Sequence, residues 1–329
     1  MLKNKNILFI APSFFGYEIE IKNHLVQKGA IVDYLDDRMN KSVIYKILNR
    51  VKFPFIDLFN SIMFNKKIKF LKEDYDYIFI IKCESVSIKS LKKLHDKYVT
   101  SVFILYLWDS ISNVRGIENK FSYFDRIYSF DITNCKSYPL ITYRPLFFSN
   151  KFMTVNNHET KILYDASFIG TDHGDRKKII EMLLKKNSDL NVFIYMYSPS
   201  KAISFVKRLF RFKNMSLISL NYSKMSFSEI IDIISKSNVV IDIHNKNQDG
   251  LTMRTIEAFA LNKKIITTNK SIVYTDIYGT GNVLVMDRYK PQEIREFLDK
   301  KFLPYNEAIK SNYSISSFIS FIFEEREIL

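Results

Sequence analysis

The sequence predicts an α/β protein with two doubly wound domains, each a parallel sheet covered by helices on both faces. Short apolar runs alternate with amphipathic stretches along the chain, which is the pattern of strands followed by helices. This alternation stops at a polar stretch near residue 150 and then restarts. The chain has 329 residues, 47% of them hydrophobic, which suits two hydrophobic cores better than one.

The first domain is expected at residues 1–150. Strands are predicted at 7–11, 31–35, 77–81, 102–107 and 126–130. A turn that ends in glycine follows the first strand, and apolar residues then recur at helical spacing from Tyr17 to Leu25. A second helix is predicted at 88–97. This order of elements is that of a doubly wound sheet.

A polar segment at 149–161 is the predicted linker to a second domain at 151–310. Strands are predicted there at 166–170, 191–196, 216–220, 239–243 and 282–286, with helices at 176–185, 200–210, 226–235 and 291–300. In the terminal segment 311–329, the apolar stretch 314–325 is expected to form a helix that packs back on the body. Ligands of such sheets bind at the carboxyl ends of the strands, and two such domains leave a cleft between them.

Composition excludes several classes of protein. No apolar run is long enough to span a bilayer, and the apolar part of the N-terminus is too short for a secretory signal. Two cysteines give no disulfide framework, and five scattered histidines give no zinc spacing. A cytoplasmic protein is therefore expected. The formal charge of +14 favours an anionic partner: nucleic acid, anionic lipid or a phosphorylated small molecule.

The stretch 250–269 carries the most specific chemistry. It is predicted to form a glycine turn, a short helix with Arg254 and Glu257, a two-lysine turn and a buried strand. Residues three apart lie on one helix face, so a cation and a carboxylate would project together. Phosphate favours positive charge and helix N–H groups, and a ribose diol favours a carboxylate. The alternative is an ordinary surface ion pair.

A glycine loop at 168–176 is a second candidate. Glycines let a phosphate approach the backbone, and His173 and Arg176 could neutralise a diphosphate there. A plain glycine turn capped by Asp175 is the alternative interpretation. His244 and Lys246, in the loop before the helix that carries Arg254, would line the same pocket.

The strand ends of the first domain carry polar residues that could act on a hydroxyl group. Glu18, at a predicted helix start, could be a general base, or it could simply favour the helix dipole. Asp109 and Asp131 are alternative bases. Trp108, the single tryptophan, could stack on a sugar or cap the core. The segment 36–38 (Asp-Asp-Arg) is expected to be a solvated turn, because no glycine-rich fingerprint supports a dinucleotide there.

Residues 41–72 form a basic segment with eight basic side chains, one acidic side chain and interleaved phenylalanines. Basic residues around aromatic ones suggest attachment to an anionic membrane surface. Core-facing phenylalanines behind a solvated lysine face are the alternative. Nucleic-acid binding is not expected, because no recognised module accompanies the charge.

Taken together, these motifs resemble bacterial GT-B glycosyltransferases. More narrowly, the chain resembles polysaccharide-biosynthesis proteins of capsule and O-antigen loci, related to the CgeB-like group. The resemblance spans essentially the whole chain and rests on segments 15–18, 36–38, 107–110, 129–131, 144–146, 168–170 and, most specifically, 250–258. It implies two Rossmann-like domains facing a cleft. The C-terminal domain would bind a nucleotide-diphosphate sugar, most simply a UDP-sugar, and the N-terminal domain would bind the acceptor.

The resemblance also assigns roles to residues. In the family, the carboxylate matching Glu257 holds the donor ribose, basic groups such as Arg254 meet the diphosphate, and neither a metal nor another cofactor is usually needed. The donor site is then expected to comprise Gly170, His173, Arg176, His244, Lys246, Gly250, Thr252, Arg254 and Glu257. The acceptor side is expected to comprise Tyr17, Lys82, Glu84, Trp108 and Asp131, with Glu18 as the first candidate base and Asp109 as the second.

The best-known retaining enzymes of this fold carry a glutamate seven positions before the ribose glutamate, and Gly250 stands there in this chain. An inverting transfer to a lipid-linked glycan, in surface polysaccharide synthesis, is therefore the predicted function. Whether the protein also attaches to the inner face of the cytoplasmic membrane is left open by the sequence. A GT-B epimerase or hydrolase, or a non-catalytic polysaccharide-assembly protein, are the alternatives.

Overall fold

The structure is a computed structural model that describes residues 2–38, 45, 48, 53, 55–153, 160–199 and 218–324. The strands are β1 (Asn6–Ile10), β2 (Ile31–Leu35), β3 (Tyr77–Ile81), β4 (Val102–Leu107), β5 (Arg126–Ser129), β6 (Ile141–Tyr143), β7 (Tyr164–Thr171), β8 (Val192–Tyr197), β9 (Leu220–Asn221), β10 (Ser237–Asp242), β11 (Lys264–Thr267) and β12 (Val283–Val285). The helices are α1 (Tyr17–Gln27), α2 (Ile56–Ile68), α3 (Ile88–Lys97), α4 (Ile132–Ser137), α5 (Arg176–Lys186), α6 (Phe227–Ser235), α7 (Met253–Ala260), α8 (Arg295–Asp299), α9 (Glu307–Asn312) and α10 (Ile315–Phe323).

The chain divides into two compact units. Unit 1 comprises Met1–Pro145 and Ile315–Leu329, and unit 2 comprises Leu146–Ser314. Each unit holds one parallel sheet of six strands among the described residues, in the order β2-β1-β3-β4-β5-β6 in unit 1 and β12-β11-β10-β7-β8-β9 in unit 2. The predicted fold class, two doubly wound parallel sheets, is confirmed.

The central strands β3 and β4 of the unit 1 sheet are almost entirely apolar, whereas the central strands β7 and β10 of the unit 2 sheet also carry polar residues such as Ser167 and Asp242. All five residues of β3 are buried, because helices cover both faces of a parallel sheet. In unit 1 the terminal helix α10 supplies much of this cover. Phe318 packs edge-on against Tyr106 with 4.8 Å between ring centroids, and Phe323 packs in the same way against Tyr77 and Phe79. Residues from the end of the chain thus complete the core of the first unit.

The strand order shows where the chain reverses its direction across each sheet, that is, where the topological switch points lie. In unit 1 the chain passes from β1 to β2 on one side and then to β3 on the other side of β1. In unit 2 it passes from β7 through β8 and β9 and then returns to β10 on the other side of β7. Ligand sites of doubly wound sheets lie outside the carboxyl ends of strands at such points. The loops after β1 and β3, and after β7 and β10, are therefore the places to examine.

Most predicted elements agree with the structure within one or two residues, but the predicted helix at 291–300 begins only at Arg295. The backbone N–H of Ile294 donates to the side-chain oxygen of Asn187 at 2.9 Å, which holds the preceding segment away from helical geometry. The predicted helix at 200–210, residues 216–217 of the predicted strand at 216–220 and the centre of the linker lie outside the described residues. The described strand in that region, β9, begins only at Leu220. In the part of the chain described, no helix is long and apolar enough to cross a membrane.

Candidate functional site

Two glycines shape the end of β7 and the loop that follows it in unit 2. A Cβ atom on Gly170 would lie 2.7 Å from the Phe168 ring, so no other residue fits there without displacing the ring. Gly174 has a φ of +61°, a left-handed conformation that glycine adopts without strain. Arg176, the first residue of α5, then binds the carbonyl oxygen of Ile243 through Nε at 2.6 Å. The loops after β7 and β10 are thus tied together at the switch point.

The start of α7 is fixed to the end of β10 by one buried carboxylate. Asp242 accepts hydrogen bonds from the hydroxyls of Thr252, at 2.9 Å, and Thr255, at 2.8 Å. Thr252 is also the N-cap of α7 and accepts from the backbone N–H of Thr255. Asn269 holds the other side of the loop by donating to the carbonyl oxygens of Asp249 and Gly250. The N-terminus of α7 is therefore rigidly placed beside the strand ends.

Arg254 and Glu257 form an ion pair with 2.5 Å between Nη1 and Oε2. Their side chains are only 15% and 3% exposed, so the pair is buried and is not the ordinary surface ion pair of the alternative interpretation. Arg254 also donates through Nε to the carbonyl oxygen of Ile169, at 3.3 Å. The pair therefore connects α7 to the end of β7.

Arg288, three residues after β12, completes this edge and was not among the residues predicted from sequence. It grips both carboxylate oxygens of Asp175, at 3.0 and 2.6 Å, and donates to the carbonyl oxygen of His244 at 3.0 Å. Hydrogen bonds from Arg288 lower the pKa of Asp175. Asp175 occupies the N-cap position of α5, as the alternative interpretation expected, but its carboxylate makes no capping hydrogen bond and binds Arg288 instead. A search for charged residues after every predicted strand end would have found Arg288.

Three guanidinium groups therefore meet at one edge of the unit 2 sheet. Burial lowers the pKa of Arg176, and the positive charges of Arg288 and Arg254 act in the same direction. His244 lies in the same group, with Nδ1 2.7 Å from the hydroxyl oxygen of Thr268, and burial lowers its pKa. His173 and Lys246 are exposed on the loops beside this group. The edge thus brings three guanidinium groups next to a helix N-terminus, together with the carboxylates of Asp175, Asp242 and Glu257. Helix N-termini and arginines are both used to bind anions.

In unit 1, Glu18 lies at the start of α1 and is 5% exposed. Its carboxylate accepts from the hydroxyl of Ser13 at 3.0 Å and from the backbone N–H of Phe14 at 2.9 Å. Phe15 and Gly16, which follow, are both left-handed. Glu18 therefore holds the loop after β1 in a tight conformation. Tyr17 is buried in the core beside it, at 4% exposure.

Lys82 and the carboxylates of Glu84 and Asp109 form a compact group at the ends of β3 and β4, hereafter the Lys82 cluster. The ammonium nitrogen lies 3.0 Å from Glu84 Oε2 and 3.1 Å from Asp109 Oδ2. Burial alone would lower the pKa of Lys82, but the two carboxylates raise it. Lys82 and Cys83 both have positive φ, which costs energy in residues with a side chain. Such strain at a strand end is typical of functional sites.

The other acceptor-side candidates divide into two kinds. Asp131 is 2% exposed and caps α4 by accepting from the backbone N–H of Thr133 at 3.0 Å, and it also accepts from the Ser110 hydroxyl. Trp108 is partly exposed and packs against Phe14 with 5.2 Å between ring centroids. Asp131 thus serves the local structure, whereas Trp108 presents an aromatic face beside the Lys82 cluster.

The segment 36–38 differs from the predicted solvated turn. Asp37 is 1% exposed and accepts a hydrogen bond from the backbone N–H of Ser85 at 3.3 Å. Burial raises its pKa to about 6. Its other oxygen, Oδ1, has no hydrogen-bond partner in the described part of the chain. The buried carboxyl group of Asp37 therefore contacts Ser85, the residue that follows Glu84.

Comparison with known proteins adds the fold family. No protein-family model matches the chain, and no curated protein has a similar sequence. Among solved structures, Anabaena HepE in complex with UDP and glucose has 12% identity over 97% of this chain and 96% of that chain, with a TM-score of 0.54. The UDP-forming α,α-trehalose-phosphate synthase of Burkholderia vietnamiensis has 11% identity over 97% and 99%, with a TM-score of 0.62. The lipopolysaccharide outer core galactosyltransferase WaaB has 14% identity over 97% and 99%, with a TM-score of 0.52. These likenesses identify the fold as GT-B.

Proposed function

From this GT-B fold, we propose that the protein is a glycosyltransferase that moves a sugar from a UDP-sugar to a glycan acceptor. The observation that carries the proposal is the meeting of Arg176, Arg254 and Arg288 at the switch point of unit 2, beside the N-terminus of α7. A diphosphate is a ligand that three guanidinium groups and a helix N-terminus can bind together. HepE with UDP and glucose, and the UDP-forming synthase, have the same fold and support a UDP-sugar as the donor.

Roles for the donor-side residues follow from their positions. The arginines and the first N–H groups of α7 would bind the diphosphate and stabilise the charge that develops as it leaves, a contribution of several kcal/mol in comparable sites. Glu257 would accept hydrogen bonds from the ribose hydroxyls while it keeps Arg254 in place. Gly174, which has open space where a Cβ would lie, would let the phosphates approach the loop after β7, whereas the corresponding space at Gly170 is filled by the Phe168 ring.

We propose inverting chemistry. The acceptor oxygen attacks the anomeric carbon, the bond from that carbon to the diphosphate oxygen breaks, and a carboxylate takes the hydroxyl proton. Glycine at position 250, where retaining relatives of the resembled family carry glutamate, supports inversion. Both oxygens of Asp109 and both oxygens of Glu18 have partners within the protein. Asp109 is the better candidate for the base because its side chain is 27% exposed, whereas Glu18 is 5% exposed.

The acceptor is proposed to be a lipid-linked glycan of surface polysaccharide synthesis, reached at an anionic membrane surface. Helix α2 and its flanks expose large apolar side chains: Phe55 is 81% exposed, Leu58 54%, Ile62 49% and Phe70 91%. Of the five phenylalanines in the basic segment 41–72, only Phe64 is buried. Exposed lysines flank these apolar residues at 66, 69 and 72, whereas Lys41, Lys46, Arg50 and Lys52 lie outside the described residues. An apolar patch bordered by lysines suits an anionic bilayer.

Vesicle sedimentation tests the membrane part. The full chain should bind vesicles that contain phosphatidylglycerol, and binding should weaken with salt. Lys66→Glu with Lys69→Glu should lower the affinity about 30-fold or more, since each lysine near the surface contributes about 1 kcal/mol. Leu58→Ser with Ile62→Ser should also weaken binding. Val99→Ser, at a 73% exposed position of the same unit, is the control. If all variants bind the vesicles as tightly as the wild type does, α2 is not the membrane-binding surface.

Transfer itself is tested by incubating the protein with individual UDP-sugars, with and without a lipid-linked oligosaccharide acceptor. Acceptor-dependent release of UDP supports the proposal. Turnover without acceptor would favour an epimerase or hydrolase, and binding without turnover would favour an assembly protein. Asp109→Asn should reduce transfer about 100-fold or more, the usual worth of a general base, and should leave UDP binding unchanged. If Glu18→Gln abolishes transfer and Asp109→Asn does not, Glu18 is the base.

A further inference from the structure

The Lys82 cluster offers one hydrogen-bond donor and one acceptor to a ligand. An ammonium group has three N–H donors, and Lys82 has two partners, Glu84 and Asp109, within the described residues. Glu84 uses Oε2 for Lys82, and its Oε1 makes no hydrogen bond in that part of the chain. Both oxygens of Asp109 are engaged, because Oδ1 accepts from the side-chain amide of Asn113 at 2.9 Å. One free donor therefore lies beside one free acceptor.

The charge of this cluster is unfavourable for an anion. One ammonium group is shared by two carboxylates at about 3 Å, so the three side chains together carry a net negative charge. Asp37 adds a buried carboxyl behind Ser85, and its Oδ1 is unpartnered among the described residues. The nearby Lys120 ammonium donates to the carbonyl oxygen of Cys83 at 2.6 Å and is 5% exposed. Arg38, whose charge acts on Asp37, donates to the carbonyl oxygen of Ser13 at 3.1 Å. Within the Lys82 cluster itself, the single ammonium group is already shared by two carboxylates.

An aromatic face adjoins the cluster. Trp108 precedes Asp109 directly, and its ring packs at a 47° tilt against that of Phe14, which is 38% exposed. Glu18 fixes the backbone of Phe14 by accepting its N–H. Sugar rings pack their C–H faces on aromatic rings and present hydroxyl groups at their edges, because one side of the ring is apolar and the rim is polar. The Trp108 and Phe14 rings can contact the apolar face of a sugar, and the Lys82 cluster can bind the hydroxyl groups at its rim.

We infer that the Lys82 cluster, with the Trp108–Phe14 face, binds two hydroxyl groups of one uncharged sugar, so that the residue glycosylated is a neutral one and not a uronic acid or a phosphorylated sugar. Lys82 donates to one hydroxyl and Glu84 accepts from its neighbour, while Asp109 keeps its contact with Lys82. The inference rests on the proposed function in assigning this sugar to the acceptor. It deepens that proposal by naming the acceptor class.

Ligand-observed NMR titration of the full chain tests this directly. The probes are octyl β-D-glucopyranoside and octyl β-D-galactopyranoside, each compared with the matching uronide. We expect the neutral glycosides to bind at least about 10-fold more tightly than the uronides, because a uronate would be repelled by the two carboxylates that share the Lys82 ammonium group. Glu84→Gln should weaken the binding of the neutral glycosides about 10-fold, because it removes the carboxylate that accepts from the sugar but keeps the shape of the side chain. The ratio of the affinity for the neutral glycoside to that for the uronide should also become smaller, because one repelling charge is lost. Glu118→Gln, at an exposed position, is the control.

Equal or tighter binding of the uronides would overturn the inference, and so would failure of both neutral glycosides to bind. If the ratio of the two affinities is the same in Glu84→Gln as in the wild type, the Lys82 cluster does not bind the sugar. Titration with UDP alone reports on unit 2 separately. If the chain prefers neutral glycosides but does not bind UDP, this inference stands and the proposed donor is rejected. If it binds UDP but shows no preference for neutral glycosides, the proposed donor stands and this inference is rejected.

Discussion

Replacement of Arg288 by methionine is the most informative single perturbation of unit 2. The side chain is 11% exposed and binds both oxygens of Asp175, the carbonyl oxygen of His244 and the hydroxyl of Thr268. Hydrogen bonds to charged groups contribute about 1.5–3 kcal/mol each, and the 28% exposure of Asp175 screens part of this. We therefore expect Arg288→Met to lower the free energy of unfolding by about 2 kcal/mol.

In a unit of this size, about 2 kcal/mol corresponds to a fall of about 4–8 °C in Tm. Differential scanning fluorimetry of the full chain measures the change with and without UDP. Arg295→Met is a matched control, because Arg295 also pairs with an aspartate, Asp189, at 2.6 Å but is 48% exposed. An exposed pair contributes little, so the control should keep the wild-type Tm. If Arg288 also binds diphosphate, the stabilisation by UDP should disappear in Arg288→Met and remain in Arg295→Met.

The pH dependence gives a further check on the same contact. The pKa of Asp175 is lowered by Arg288, so this pair stabilises the fold above the usual carboxyl range and loses its effect as pH falls through the lowered pKa. The difference between wild type and Arg288→Met should therefore be largest near neutral pH and shrink in acid. The reasoning is refuted if both arginine variants lose equal stability, or if Arg288→Met is fully stabilised by UDP.

Three other variants test separate parts of the structure. Gly170→Ala should destabilise by about 1–3 kcal/mol in urea unfolding because its Cβ would meet the Phe168 ring, and Gly279→Ala, with open space around it, should be neutral. Burial raises the pKa of Asp37 to about 6, so wild-type stability should fall by up to about 3 kcal/mol as pH rises from about 4 to 7, and Asp37→Asn should abolish that fall. Glu18→Gln should cost about 1–2 kcal/mol by weakening both bonds to the loop after β1; an unchanged Tm would contradict that loop role.

The fold was predictable from sequence because both sheets are made of apolar runs with turns between them. The predictions for β2, β3, β4 and α3 match the structure at both ends. These elements have strong local signals, since β3 is apolar throughout and Ser87 caps α3 by accepting from Ser90 N–H. The late start of α8 was not predictable, because it depends on Asn187, which is distant in sequence.

The candidate site was predictable only in outline. Strand-end residues such as Arg254 and Glu257 could be identified because parallel sheets gather such residues at one edge. Their direct ion pair and the bidentate contact of Arg288 with Asp175 depend on side-chain directions that spacing does not fix. The burial of Asp37 was missed for the same reason, since Asp-Asp-Arg after a strand is equally compatible with a solvated turn.

Isothermal titration of UDP into the full chain tests the central claim most directly, that the carboxyl edge of unit 2 is a nucleotide-diphosphate site. The account predicts one UDP bound per chain and an affinity at least about 10-fold weaker in Glu257→Gln, because the ribose loses a charged hydrogen-bond acceptor and Arg254 loses its partner. Circular dichroism of the variant shows whether it is folded. Absence of UDP binding by the wild type, or undiminished binding by a folded Glu257→Gln variant, would contradict the account.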